Sequence, residues 1–119
     1  MENFKKDFSD YILGSNKIGS NKASSYIKAL DIIDKILSIK PLGFSDCQNI
    51  WRVNSINKLI VLYEFTKDQS RKFESSEWNL DCVPPSYLRN GFISAALKFY
   101  IDYHSKQSFN TLSVEDLLD

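Results

Sequence analysis

One histidine, two cysteines and two aspartates three residues apart are the side chains here whose types could do chemistry: His104, Cys47, Cys82, Asp31 and Asp34. A histidine acting as a base or metal ligand needs partners, and no HxxxH, HxxE or Cys–His spacing surrounds His104. Its place near the end of a helical pattern suits a favourable interaction with that helix's C-terminal dipole instead. Cys47 and Cys82 lie in separate segments without CxxC spacing, and nothing local activates either thiol, so both are expected as reduced, non-nucleophilic side chains. Asp31 and Asp34 could bind a metal or divide acid and base roles. Lys28 and Lys35 flank them at helical spacing, which predicts an ion-paired, solvated surface.

Gly14-Ser-Asn-Lys-Ile-Gly19 matches the first half of a GxxxxGK[ST] phosphate loop, but Ser20-Asn21 stand where the lysine and the magnesium-binding hydroxyl belong. A tight helix–helix turn is the simpler reading. These residues therefore predict no enzyme, with catalytic, cofactor and metal sites all absent.

The elements that position these groups read as helices. Hydrophobic residues make up 43% and charged residues 25%, which fits one soluble domain with a core of its own and predicts neither disorder nor a membrane span. The first residues lack the apolar run of a secretory signal, so a cytoplasmic protein is expected. Ser20 to Leu37 carries a capping residue, Ser20 or Asn21, and then apolar residues at Tyr26, Ala29, Leu30, Ile33, Ile36 and Leu37. A first helix is predicted from Glu2 to Leu13, with Phe4, Phe8, Tyr11 and Ile12 inward and Gly14 as a left-handed stop. Pro41 ends the second helix, and Ile50–Val53 in the long connection suits a short extended piece. Ser55 caps a third helix with Ile56, Leu59, Ile60, Tyr63 and Thr66 inward. A fourth, from Ser86 to Ser105, is apolar around so much of its circumference that it belongs at the centre, with Phe92, Ala96 and Phe99 on its buried face and a kink at Asn90-Gly91. Ser113-Val-Glu-Asp116 has the form of a capping box for a short terminal turn.

The fold class predicted is all-α: a bundle of four main helices over residues 1–106, then an acidic tail, 107–119, with a short C-terminal helical turn. Residues 1–106 hold all 15 basic side chains, and three of the 15 acids, Glu115, Asp116 and Asp119, crowd the tail. A net charge of zero argues against a strong non-specific polyanion binder, while the mildly basic body is compatible with a small nucleic-acid contact.

Two segments, Lys22-Ala-Ser-Ser-Tyr-Ile-Lys-Ala-Leu30 and Asn90-Gly-Phe-Ile-Ser-Ala-Ala-Leu-Lys-Phe-Tyr100, resemble the helical N-terminal module of bacterial HNH-type restriction endonucleases. More distantly they are similar to the SAM-like core-binding domain of tyrosine recombinases, where a Tyr-x-x-Ala-Leu helix packs in a small bundle that clasps DNA. Asp46-Cys-Gln-Asn-Ile-Trp-Arg-Val53 and Leu62-Tyr-Glu-Phe65 fall at matching places, so the resemblance spans about residues 4–104. Neither a His-Asn-His constellation nor an Arg…His-x-x-Arg…Tyr set is present. The resemblance thus implies a non-catalytic DNA-binding or DNA-guiding accessory module of a restriction-modification or mobile-element system, with double-stranded DNA and a nuclease domain as partners.

The expected DNA contact surface is the loop between the first two helices and the start of the second: Lys17, Ser20, Asn21, Lys22, Ser25 and Lys28, where helix-terminus amides and lysines can meet phosphates. Arg52, Arg71, Lys72 and Arg89 are further cations of interest. Trp51 and Trp78 lie in irregular connections, where they either plug the open edge of the bundle or form a partner-binding surface. The second choice would make the chain a protein–protein interaction or oligomerisation module, such as a small phage- or defence-related regulator.

Overall fold

Apolar residues recurring every three or four positions place the helices, and the breakers between them set their ends. The computed structural model describes the backbone of residues 4–14 and 20–118 and the side chains of 4–14 and 21–106. Across these residues the chain is an all-α bundle of α1 (Lys5–Leu13), α2 (Ser20–Ile39), α3 (Ile56–Arg71), α4 (Pro85–Arg89) and α5 (Phe92–Leu118). Three short 3-10 turns, Ser45–Cys47, Ile50–Arg52 and Phe73–Ser75, fill the connections. No strand occurs among the described residues. The extended piece expected at Ile50–Val53 is one of these turns, closed by the Val53 amide donating to the Ile50 carbonyl at 3.1 Å.

The stripe read along α2 is the wall of the core: Tyr26, Ala29, Leu30, Ile33, Ile36 and Leu37 are all buried. In α1 Phe8 and Ile12 are fully buried, while Phe4 and Tyr11 pack at the margin. Gly14 is not the left-handed stop expected of it. Its φ is −87° and its amide simply continues to the Asp10 carbonyl at 3.0 Å, so the helix ends in a loose right-handed turn.

Ser55 caps α3 as expected, its hydroxyl oxygen accepting from the Lys58 amide. The buried face of α3 is rotated from the one read by hydrophobicity. Leu59, Leu62, Thr66 and Gln69 point inward, whereas Ile60 is 42% exposed. A polar residue misleads the pattern here: Gln69 can be buried because the Ser76 hydroxyl donates to its Oε1 at 2.6 Å.

The predicted fourth helix is two. Gly91 takes φ +80°, a left-handed conformation that suits glycine, and separates the single turn of α4 from α5. α5 packs against all four other helices, which is the central place its composition demands. Its innermost line is Ile93, Ala96, Leu97, Tyr100 and His104, with Phe92 and Phe99 half-buried beside it against Tyr26. The backbone runs helical without a break to Leu118, so the terminal turn expected at Ser113 is the continuation of α5 and not a separate element. Among the described residues no helix is long and apolar enough to cross a membrane.

Candidate nucleic-acid interface

The connection between α2 and α3 is held by polar tethers, and those tethers use the residues that looked chemical. Asp34 Oδ1 accepts from the Ile50 amide at 2.9 Å, and Asp31 Oδ1 accepts from the Trp51 indole at 2.7 Å. The second oxygen of Asp31 pairs with Lys5 of α1 at 2.9 Å. The aspartates are therefore not the Lys28- and Lys35-paired surface that helical spacing suggested. Each reaches across to another element, because unpaired donors in an irregular segment are stabilised more by a carboxylate than an exposed lysine is. From the other side, the Tyr100 hydroxyl donates toward the Ile50 and Val53 carbonyls at 2.9 and 3.3 Å. Burial and the neighbouring Tyr103 keep that phenol protonated.

His104 also departs from expectation. It sits well inside α5 and not at its end, is 5% exposed, and meets Phe4, Tyr100 and Tyr103 edge-on with ring centroids 4.8, 4.5 and 5.0 Å away. Its Nε2 is buried without a hydrogen-bond partner among the described residues. Burial lowers its pKa to about 4, so the ring is neutral at physiological pH. Cys47 is 1% exposed, and burial, reinforced by Asp46, raises its thiol to about 11. A thiol in that state is not a nucleophile. Cys82 is free and exposed. Among the described residues no three of His, Cys, Asp and Glu gather as a metal site.

Trp51 and Trp78 are interior, so of the two roles expected of them the plug of the bundle edge fits their burial and the partner-binding surface does not. Trp51 is 6% exposed and lies against Phe8 and Tyr100; Trp78 is fully buried against Phe65. Both indole N–H groups are satisfied internally, Trp78 by the Lys40 carbonyl at 2.8 Å. An amphipathic ring whose polar edge finds a backbone acceptor can be buried without loss, so each plugs a gap between connection and bundle.

Of the six residues expected to meet DNA, Lys17 and the Ser20 side chain lie outside the described residues. Asn21, Lys22 and Lys28 are exposed on the first half of α2, and Ser25 is half-buried there with its hydroxyl donating back to the Asn21 carbonyl at 3.1 Å. Positions 21, 25 and 28 follow one face at helical spacing, with 22 beside them. Lys28 holds its ammonium 5.8 Å from the centre of the Tyr87 ring, which extends this polar face onto α4. Two residues further on, Arg89 stands beside Arg71 and Lys72 around a surface hollow of about 320 Å³. Helical periodicity could not place those three together, since they come from the ends of two helices.

A second hollow, of about 300 Å³, is lined by Gly43, Phe44, Asp46, Cys47, Lys58 and Val61, with Val61 58% exposed. Lys58 and Asp46 pair at its edge at 2.8 Å, which raises the pKa of the lysine and lowers that of the carboxylate. Comparison of the chain with protein-family profiles, with curated proteins and with solved structures finds no match.

Proposed function

We propose that this chain is a non-catalytic DNA-contacting module that lays the first half of α2, continued by α4, along a duplex backbone. The observation that carries this reading is the exposed face of the first half of α2, which holds two lysines and, in its first turn, no acid. Lys5, Lys6, Lys58, Lys67 and Lys72 are each ion-paired within the fold. Lys22 and Lys28 have no acidic partner among the described residues, and the first turn of α2 carries no acid. Lys22 in the first turn stands beside the N-terminal amides of a long helix, and Lys28 adds a second cation farther along it, a surface to which phosphates are attracted. Phosphate contact positions a module without reading sequence, as a guiding role requires. The resemblance to restriction-enzyme and recombinase modules points the same way.

Fluorescence anisotropy with a labelled duplex at low salt tests the reading. Weak binding that is lost in the Lys22→Glu, Lys28→Glu double variant supports it; equal binding by the variant excludes this face. A protein-contact role has its own observation, the exposed Val61 in the lining of the Phe44 hollow. A complex that survives high salt and weakens on Val61→Asp would select that role instead.

A further inference from the structure

We propose that the hollow between the ends of α3 and α4 is a binding site for a phosphate group, with Arg71 and Arg89 as its principal donors. The site goes beyond the α2 surface and uses different residues.

Its construction starts with the floor. Phe73 is 8% exposed, and the Arg89 guanidinium lies 5.5 Å above its ring, an arrangement that holds the guanidinium plane by cation–π attraction. The Ser70 hydroxyl donates to the Arg89 carbonyl at 3.2 Å, which ties the last turn of α3 to the end of α4. Arg71 and Arg89 thus face one cavity from two helices locked together. Lys72 lines the same cavity with its ammonium 3.3 Å from Asp68, and Ser75 donates to the Lys72 carbonyl at 3.2 Å. Glu74 is the one carboxylate in the lining.

A helix C-terminus attracts a cation by its dipole, and that alone would account for Arg71 or Arg89 singly. It does not account for two arginines around a shared hollow, neither with an acidic partner among the described residues. Guanidinium groups offer planar pairs of N–H donors that match phosphate oxygens two at a time. The hollow has the volume of a small-ligand site. Tetrahedral oxyanions bearing two or more free oxygens fit this donor set, whether as a free phosphate, a terminal phosphate monoester or a backbone phosphodiester.

The test is a titration of the full chain with inorganic phosphate at constant ionic strength, followed by heteronuclear NMR, with sodium chloride as the reference salt. Saturable amide shifts confined to residues 70–75 and 89 are expected. Arg89→Gln and Arg71→Gln should each weaken binding about tenfold, the loss of one charge-assisted pair. Glu74→Gln should tighten it, a gain that damage to the fold could not imitate. Shifts that do not saturate, that chloride reproduces, or that Arg89→Gln leaves unchanged in a folded protein overturn the proposal. Oligonucleotides with and without a terminal phosphate separate the sources. Preference for the phosphorylated end assigns a monoester, equal affinity a backbone phosphodiester, and saturation by free phosphate with no oligonucleotide binding a free anion. That last result would also overturn the DNA reading while sustaining this site. Duplex binding abolished by Lys22→Glu and Lys28→Glu, without phosphate saturation, would do the reverse.

Discussion

The Trp51 indole donates to Asp31 across twenty residues of chain, and the same carboxylate holds the Lys5 ammonium, so one side chain joins α1, α2 and the connection that follows. The Phe4 amide closes the ring by donating to the Trp51 carbonyl at 2.7 Å. A segment with little regular structure is fixed here by a few strong hydrogen bonds, and Tyr100 holds it from below.

Trp51→Phe removes the indole N–H together with part of a buried ring, so it should destabilise the fold by about 2–4 kcal/mol in urea denaturation, and the share owed to the hydrogen bond is read from its coupling to Asp31. Lys5→Ala should cost less than about 1 kcal/mol, because its pair with Asp31 is half exposed. A double-mutant cycle between Trp51→Phe and Asp31→Ala should show strong coupling; additive losses would mean the bond contributes nothing.

Acid should weaken this protein through His104. The ring is neutral in the fold, with a pKa lowered by burial from 6.5 to about 4, and the unfolded chain binds its proton first as the pH falls. The histidine's contribution is complete above about pH 6.5, shrinks between 6.5 and 4, and changes no further below. The loss should be on the order of 3 kcal/mol, read as the difference between wild type and His104→Phe across the same pH series. Parallel curves for the two proteins would show that the ring is not buried neutral.

Core truncations should rank by the observed face of α5. Leu97→Ala empties a fully buried site and should cost about 2–5 kcal/mol, and Phe99→Ala, at the half-buried margin, clearly less. The opposite order would mean the helix is rotated.

What the sequence reveals and what it conceals follow one physical division. Apolar periodicity made the buried stripe of α2 legible, and the breaker Gly91 was visible as a kink. Tethers made through space were not legible: nothing near Asp31 announces Trp51, and a lysine three residues away looked the better partner. Gln69 and His104 misled because their burial depends on Ser76 and on a ring of aromatics, Phe4 just before α1 and Tyr100 and Tyr103 on α5, contacts that only the tertiary fold creates. The exposure of Asn21, Lys22 and Lys28 on α2 needed only helical spacing. The cluster of Arg71, Lys72 and Arg89 needed the meeting of two helix ends.

The two cysteines should behave oppositely. Cys82 is exposed and should react with a thiol reagent in the native protein, whereas Cys47, buried and raised to about 11, should react only when the chain unfolds. Mass spectrometry after a timed exposure checks this; early modification of Cys47 would contradict its burial.

The salt dependence of duplex DNA binding by the wild type and the Lys22→Glu, Lys28→Glu variant tests the functional claim most directly. The wild type should bind weakly, with affinity falling linearly with salt on logarithmic axes at a slope of about −0.9 per phosphate contacted, for roughly three to five phosphates. The variant should lose both affinity and slope while keeping its thermal stability, since exposed charges add little to folding. A wild-type chain that shows no binding to duplex DNA at low salt, or a variant with an unchanged slope, would contradict the account.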